Sequence, residues 1–336
     1  MPGPPRHHVV VTGAAGFIGS HLAEALLDQG REVVGIDAFT GQVPPAEKWA
    51  NLSSLLDRPG FELHRLDLAT AEIGPLLEGA AAVLHQAAQP GVRTSFGQRF
   101  ASYLHNNVLA TQRLLEACVR AEVPRLVFAS SSSVYGDAPS YPTTEESRTR
   151  PLSPYGVTKL AAEQLCQAYA RPNLSEMTVA ILRYFTVYGP RQRPDMAFRR
   201  FIEAALAGRT IVVYGDGGQT RDFTYVDDVV RANLLAMTAP VEARPSTSAA
   251  AGGSACARPW SWSPRPPGGA RGSTGARPAL ATPAISGPTG REPRRCSATA
   301  PGPTWPPAWP PRWPGSPSAS GRRPAEGPVC CSRLTY

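Results

Sequence analysis

The 336-residue sequence predicts an α/β fold, a doubly wound parallel sheet with its cleft at the carboxyl ends of the strands and a small C-terminal lobe. Three observations carry that expectation. Short apolar runs rich in β-branched residues alternate with amphipathic segments over the first two-thirds of the chain. A glycine turn, Thr12-Gly13-Ala14-Ala15-Gly16-Phe17-Ile18-Gly19, joins the first run to the first amphipathic segment. From about Arg244 the composition changes abruptly and the globular pattern stops.

Val9-Val10-Val11 reads as a buried strand. Ser20 to Gln29 is amphipathic, with Leu22, Ala25, Leu26 and Leu27 on its apolar side, and Gly30 is its stop. Glu32 to Ile36 is the next strand and ends at Asp37. Strand, glycine turn, helix, strand and an acid about 20 residues past the turn make a dinucleotide-binding unit. The glycines permit a tight turn and close approach of backbone to a pyrophosphate, and the helix N-terminus supplies N–H groups and a positive dipole end. Gly13, Gly16, Phe17, Ile18 and Gly19 are therefore the expected cofactor contacts of this turn. Asp37 can accept hydrogen bonds from the adenosine ribose and would repel a 2′-phosphate, so the expected cofactor is NAD and not NADP. A glycine turn that serves packing alone is the competing reading, and the full strand-turn-helix-strand context argues against it.

Phe61 to Leu66 is the third strand, followed by Asp67-Leu68. Ala81 to His85 is the fourth and ends in Gln86-Ala87-Ala88-Gln89-Pro90-Gly91-Val92-Arg93. Small residues at a strand's carboxyl end let a flat ligand lie against backbone, so Ala87 and Ala88 are expected to touch the cofactor. Asn107 opens a helical pattern over Val108 to Ala121. Arg125 to Ala129 is the fifth strand and enters Ser130-Ser131-Ser132-Ser133-Val134-Tyr135-Gly136. In Ser153-Pro154-Tyr155-Gly156-Val157-Thr158-Lys159, Ser153 suits an N-cap and Pro154 a first helical position. Tyr155 and Lys159 then share one helix face, one turn apart. A phenol with a pKa of about 10 is a weak base at neutral pH, and a nearby ammonium favours its phenolate, so the pair can act as one general acid/base. Val179 to Arg183 is the sixth strand, Phe198 to Leu206 a helix, and Ile211 to Gly217 a strand and turn.

The spacing of Gly13, Gly16 and Gly19 together with Tyr155 and Lys159 resembles the short-chain dehydrogenase/reductase superfamily. Lys48, Asn51-Leu52 and the later motifs resemble its extended, nucleotide-sugar-modifying branch. Gln89 to Arg93, and Tyr184-Phe185-Thr186-Val187-Tyr188-Gly189-Pro190-Arg191-Gln192-Arg193-Pro194-Asp195-Met196, are similar to UDP-glucuronate 4-epimerases. The resemblance implies a Rossmann fold with Tyr155, Lys159 and Ser131 as catalytic residues, Ser131 being aligned through Val134-Tyr135-Gly136 and Ser132 its nearest rival. It implies that Asp67 and Leu68 lie by the adenine, that Asn107 lies near the active site on the cofactor side, and that Gly91 and Arg93 border the sugar. Tyr184 and Thr186 would cover the nicotinamide, with Thr186 also touching the sugar. Arg191 or Arg193 would meet a sugar carboxylate or the diphosphate, with Arg193 the favoured of the two. Val213 and Tyr214 would line a uracil pocket, and Arg221 would bind the diphosphate.

Within the same resemblance, dehydratases carry an Asp-Glu pair before Val-Tyr-Gly and decarboxylases a Glu, where this chain has Ser132 and Ser133. Elimination of water needs an acid and a base beyond Tyr/Lys. The expected reaction is therefore NAD-dependent 4-epimerisation of a UDP-sugar, UDP-glucuronate to UDP-galacturonate through a 4-keto intermediate. The alternatives are UDP-glucose 4-epimerisation, another dehydratase or decarboxylase of the branch, and a non-catalytic NAD-binding protein. The resemblance also implies a homodimer through helices near 107–121 and 155–170.

The formal charge of +8 suggests nucleic acid until it is located. Twelve Arg and two Glu beyond residue 243 carry +10, which leaves 22 bases and 24 acids, −2, for the rest. Nucleic acid is therefore not an expected partner. Six Cys show no zinc-type spacing or disulfide framework. Met1 to Val11 is too short and broken for a signal peptide, and no run is long enough to span a bilayer, so no membrane association and a cytoplasmic location are expected. The expected division is a dinucleotide-binding domain over 1–189, a partial nucleotide-sugar lobe over 190–243, and a Pro/Arg/Ala-rich tail over 244–336. The tail has one Ile and no Phe, Met or Asp, too little apolar content to offset its ordering entropy. It is expected to be disordered, or an out-of-frame reading of a G+C-rich gene.

Overall fold

The chain runs β1 (His8–Thr12), α1 (Phe17–Asp28), β2 (Glu32–Ile36), α2 (Pro45–Leu52), β3 (Phe61–His64), α3 (Gly74–Leu77), β4 (Ala80–His85), α4 (Phe100–Tyr103), α5 (Ala110–Arg120), β5 (Arg125–Ser131), α6 (Pro154–Tyr169), β6 (Thr178–Tyr184), β7 (Thr186–Tyr188), α7 (Ala197–Leu206), β8 (Ile211–Val213), β9 (Thr220–Tyr225) and α8 (Val226–Thr238). The computed structural model describes residues 7–137, 143–213 and 220–239, and four short strands, β10 (Pro245–Ser248), β11 (Pro259–Ser261), β12 (Arg294–Cys296) and β13 (Ser332–Thr335). The rest of the 244–336 tail lies outside the described residues, and so does what was expected of it.

Seven strands form one parallel sheet in the order β10-β6-β5-β4-β1-β2-β3. The order reverses between β1 and β4, which opens a crevice at the carboxyl ends of those two strands. The continuous apolar runs follow from burial on both faces. Val9, Val11, Val127 and Ala129 point into one core, with Leu22 and Leu26 of α1 and Val226 and Val229 of α8. Val10, Leu126 and Phe128 point into the other, with Leu114, Leu115 and Cys118 of α5 and Ala162 and Cys166 of α6. Each such Val, Leu or Phe contributes roughly 1.5–3 kcal/mol of burial. Among the described residues no helix is long and apolar enough to cross a membrane.

Three local departures from the expected elements matter to the site. Helix α1 starts at Phe17, not Ser20, so Gly19 lies inside its first turn. The reason is contact: a Cβ on Gly19 would sit 2.1 Å from the Gly13 carbonyl oxygen. The helix expected from Val108 begins earlier, as a π-turn over Leu104–Leu109 that leads into α5. There the Ala110 N–H reaches back five residues to the His105 carbonyl, and the Thr111 hydroxyl takes the Asn107 carbonyl at 2.8 Å. Helix α2 carries no strong apolar period, and the sequence reading did not assign it.

Candidate active site

The glycine turn is shaped by close backbone approach. Gly13 has φ +69°, and a Cβ there would lie 2.8 Å from the Ala87 backbone nitrogen. The turn is thereby pressed against the carboxyl end of β4, against the backbone of Gln86 and Ala87, with Ala88 the next residue along. Helix α1 begins after Gly16 with no side-chain cap, so its first-turn N–H groups, those of Phe17, Ile18 and Gly19, are suited to an anion. At the end of β2, Asp37 is buried, and its Oδ2 accepts the Ala15 N–H at 3.2 Å. Its Oδ1 accepts the Phe39 N–H at 2.7 Å and Lys48 Nζ at 2.6 Å. These groups fit a dinucleotide: a turn without side chains for the pyrophosphate and a held carboxylate for a ribose.

A buried polar chain runs beneath this turn. Thr12 Oγ1 accepts the Ala87 N–H at 3.2 Å, so its own proton points to His85 Nδ1, 2.7 Å away. His85 Nε2 then donates to Thr111 Oγ1 at 3.0 Å, and Thr111 donates to the Asn107 carbonyl. Burial, and then the charge of Lys159, push His85 down to about 3, in keeping with this neutral tautomer. The Asn107 side chain holds three further bonds: it accepts the Gln89 N–H at 2.7 Å and donates to the Gln89 carbonyl at 3.1 Å and to Thr158 Oγ1 at 3.0 Å. It therefore ties the loop after β4 to α6, next to Lys159. Tyr103 finishes the loop, donating to the Gly91 carbonyl at 2.8 Å, while Gln42 donates to Thr94 Oγ1 at 2.7 Å. Gly91 has φ +108°, and a Cβ there would strike Thr94 Oγ1 at 2.6 Å.

Ser153 caps α6 by accepting the Gly156 N–H at 3.1 Å, and Pro154 takes the first position. This orients Tyr155 toward Ser131 at the end of β5. Burial raises the Tyr155 pKa, a hydrogen bond with Ser131 and the charge of Arg193 lower it, and Tyr103 raises it again, leaving it above the ordinary phenol value. The edge of the Tyr103 ring packs on Tyr155 at 6.3 Å between centroids. Lys159 is buried, donates to the Ala129 carbonyl at 2.8 Å, and lies 4.8 Å from the centre of the Phe128 ring. Burial brings its ammonium down to about 8. The sequence reading asked Lys159 to loosen the Tyr155 proton; the groups that do so here are Ser131 and Arg193. Helix α6 is fixed from below by Glu163, which pairs with Arg183 at 2.7 Å and accepts the Ser130 hydroxyl.

Several expected site residues are placed differently. Tyr184 is buried at the end of β6, and its hydroxyl bonds Asn233 of α8 at 3.0 Å and Gln86, just after β4, at 3.3 Å. Phe17 and Leu68 also put their side chains into the cores, which leaves their backbones for any ligand. Asn107 turns its amide to Gln89 and Thr158, so it positions the site without presenting a side-chain group to it. Asp67 accepts the Ala69 N–H at 2.9 Å and pairs with His105 Nε2 at 2.9 Å. Burial works against its ionisation, but these bonds outweigh it and hold the carboxyl below its usual range.

Of the two arginine candidates, Arg191 turns away to Glu24 of α1 at 3.0 Å, while Arg193 is held by Asp195 at 2.9 Å and acts on Tyr155. Ser132 lies in the short turn after β5, Thr186 on β7, and Arg221 on β9, all half-buried; Arg93 is exposed in a turn after Val92. Of Val213 only the strand backbone is described, and Tyr214 lies outside the described residues. Sequence reasoning missed His85, Tyr103 and Gln42. Their roles depend on partners 26, 12 and 52 residues away, which no local spacing signals.

With this geometry in hand, comparison with known proteins is specific. The model of the NAD dependent epimerase/dehydratase family matches residues 9–251. The uncharacterized UDP-glucose epimerase YtcB of Bacillus subtilis is 50% identical over 224 residues, 66% of this chain and 70% of that protein. A UDP-glucuronate 4-epimerase of Thermodesulfobacterium geofontis is 37% identical over 234 residues, 68% of this chain and 71% of the relative. The crystal structure of UDP-glucuronic acid 4-epimerase from Bacillus cereus, in complex with UDP-glucuronic acid and NAD, superimposes with a TM-score of 0.68 at 46% identity, covering 71% of this chain and 76% of that one. The glycine turn against Ala87, the held Asp37 and the Ser131, Tyr155 and Lys159 constellation all fall within the matched span, and the chain belongs to the NAD dependent epimerase/dehydratase family.

Proposed function

We propose that this chain catalyses the NAD-dependent 4-epimerisation of a UDP-sugar, UDP-glucuronate to UDP-galacturonate. The observation that carries the reading is the placement of Tyr155 at the end of β5, hydrogen-bonded to Ser131, in the field of Arg193 and packed against Tyr103. The identities of its relatives, including a UDP-glucuronate 4-epimerase and a structure holding UDP-glucuronic acid and NAD, support the substrate and the cofactor. Gly13, Gly16, Gly19 and Asp37 would hold the dinucleotide, with Ala87 and Ala88 against it. Such a dinucleotide would supply the acceptor, and then the donor, of a hydride at sugar C4. Tyr155 takes the proton of the C4 hydroxyl and later gives it back, with Ser131 orienting the hydroxyl. Lys159, fixed on Ala129, keeps a positive charge beside the cleft. Arg193 offers a guanidinium to the sugar carboxylate, a match for two parallel hydrogen bonds.

Elimination or decarboxylation would need a further carboxylate, but Ser132 and Ser133 occupy the turn, and Glu163, one turn beyond Lys159, is taken up by Arg183 and Ser130. Incubation with UDP-glucuronate and NAD⁺, with chromatography and mass detection, should give a new UDP-sugar of unchanged mass. A product lighter by water or carbon dioxide would replace this reading with one of its alternatives.

A homodimer in the cytoplasm belongs to the same proposal. Leu104, Leu109 and Val157 are exposed apolar residues, and Leu104 and Leu109 share a shallow cleft with Leu165 of α6. Burying them on a second copy would remove an apolar stripe from water. Light scattering after size exclusion should give twice the chain mass, and Leu109→Glu should halve it; a monomeric wild type would refute the dimer.

A further inference from the structure

The sequence reading gives Asp37 alone the choice between NAD and NADP. The structure shows a pair. Asp37 and Lys48 are both buried and lie 2.6 Å apart. Asp37 Oδ1 already has two donors, the Phe39 N–H and Lys48 Nζ, while Oδ2 has one, the Ala15 N–H. A carboxylate oxygen can accept about two bonds, so Oδ2 retains room for one ribose hydroxyl and Oδ1 does not. Lys48 also lies 5.7 Å from the centre of the Phe39 ring. The Arg65 guanidinium sits 4.9 Å from the centre of the Phe39 ring and 5.7 Å from that of Trp49. The end of β2 therefore holds one carboxylate and two cations.

We propose that Lys48 is a specificity-determining partner of Asp37, and that it is a phosphate-binding cation masked by that carboxylate. While Asp37 is ionised, Lys48 fixes its rotamer, with Oδ2 turned to a ribose hydroxyl, and the buried pair is neutral. A 2′-phosphate is then refused because Lys48 is already engaged and Asp37 repels it. Once the Asp37 charge is removed, the same ammonium, with Arg65 nearby, faces the ribose and binds the phosphate. The proposal rests on the reading that this cleft binds NAD.

The test is equilibrium binding of NAD⁺ and NADP⁺, by calorimetry, to the full chain as wild type, Asp37→Asn and Asp37→Asn/Lys48→Met. Asn keeps the size of Asp and an acceptor for the Phe39 N–H and Lys48, while its amide nitrogen replaces the oxygen that faced the Ala15 N–H, and a melting curve establishes that each variant is folded. Wild type should bind NAD⁺ and discriminate against NADP⁺. Asp37→Asn should bind NADP⁺ at least roughly tenfold more tightly than wild type does. The double variant should lose that gain, a change that a merely structural lysine would not produce. No gain in Asp37→Asn, or an equal gain in the double variant, overturns the proposal while leaving the NAD reading intact. Failure of wild type to bind either nucleotide sinks the NAD reading and this inference together. If Asp37→Asn does not fold, Lys48→Met in the wild-type background decides: it should weaken NAD⁺ by at least roughly tenfold through loss of the carboxylate's orientation, and unchanged NAD⁺ affinity overturns the proposal.

Discussion

At Arg193, one side chain is asked to do two things. Its charge lowers the Tyr155 pKa, and its guanidinium is the one of two loop arginines not directed to α1. Arg193→Met should therefore raise the Tyr155 pKa and move the rising limb of kcat/KM to higher pH. It should also raise KM for UDP-glucuronate by roughly tenfold or more, the value of a lost charge-assisted pair, while barely changing KM for UDP-glucose. Steady-state kinetics with both sugars against pH checks this; equal effects on both would remove Arg193 from carboxylate recognition. The sequence left the two arginines as alternatives because both sit two residues apart in one loop, between β7 and α7. What separates them is a positive φ of 63° at Arg191, which turns that side chain back to Glu24. Tyr155 and Lys159 were legible because their relation is one helical turn, a local fact. The partners of Tyr184 were not legible, because the facing of a residue at a strand's end depends on the pleat and on Asn233, 49 residues away.

At the scale of elements, the strands were the most legible feature, since burial on both faces demands continuous apolar runs. Helix α6 was legible from its cap and its proline, but what it buries was not. Lys159 and Glu163 lie on its inner face beneath the sheet's edge, where burial holds Lys159 at about 8. In the unfolded chain a lysine keeps its proton to about 10.4. Between those values the unfolded state binds more protons, so stability should rise with pH, by roughly 3 kcal/mol over the whole window. Lys159→Met should abolish that rise, as measured by urea unfolding from pH 7.5 to 10.5; parallel pH slopes in the two proteins would contradict it. The π-turn before α5 was not legible, because it is closed by a backbone bond five residues back, Ala110 to His105, and is tied to the sheet only through the bond between Thr111 and His85, 26 residues away.

Over the whole molecule, the crevice follows from strand order: the chain leaves β1 and β4 toward opposite sides of the sheet, the glycine turn and the Ala87 segment line it, and α6 brings Tyr155 to Ser131 at the end of the neighbouring β5. The alternation of strands and helices made this architecture legible, and in the 190–243 segment the helix from Phe198 and the strand from Ile211 were legible as elements, while their part in a substrate lobe came only from the resemblance to known epimerases. The account's central claim is that C4 is oxidised and then reduced by the same hydride while Tyr155 moves only the hydroxyl proton. The most direct measurement uses UDP-glucuronate carrying deuterium at C4, with the product analysed by mass and by NMR. The account predicts UDP-galacturonate that retains the deuterium at C4, at unchanged mass and with none released to water. Deuterium lost to solvent, or a product inverted at another carbon, would contradict it.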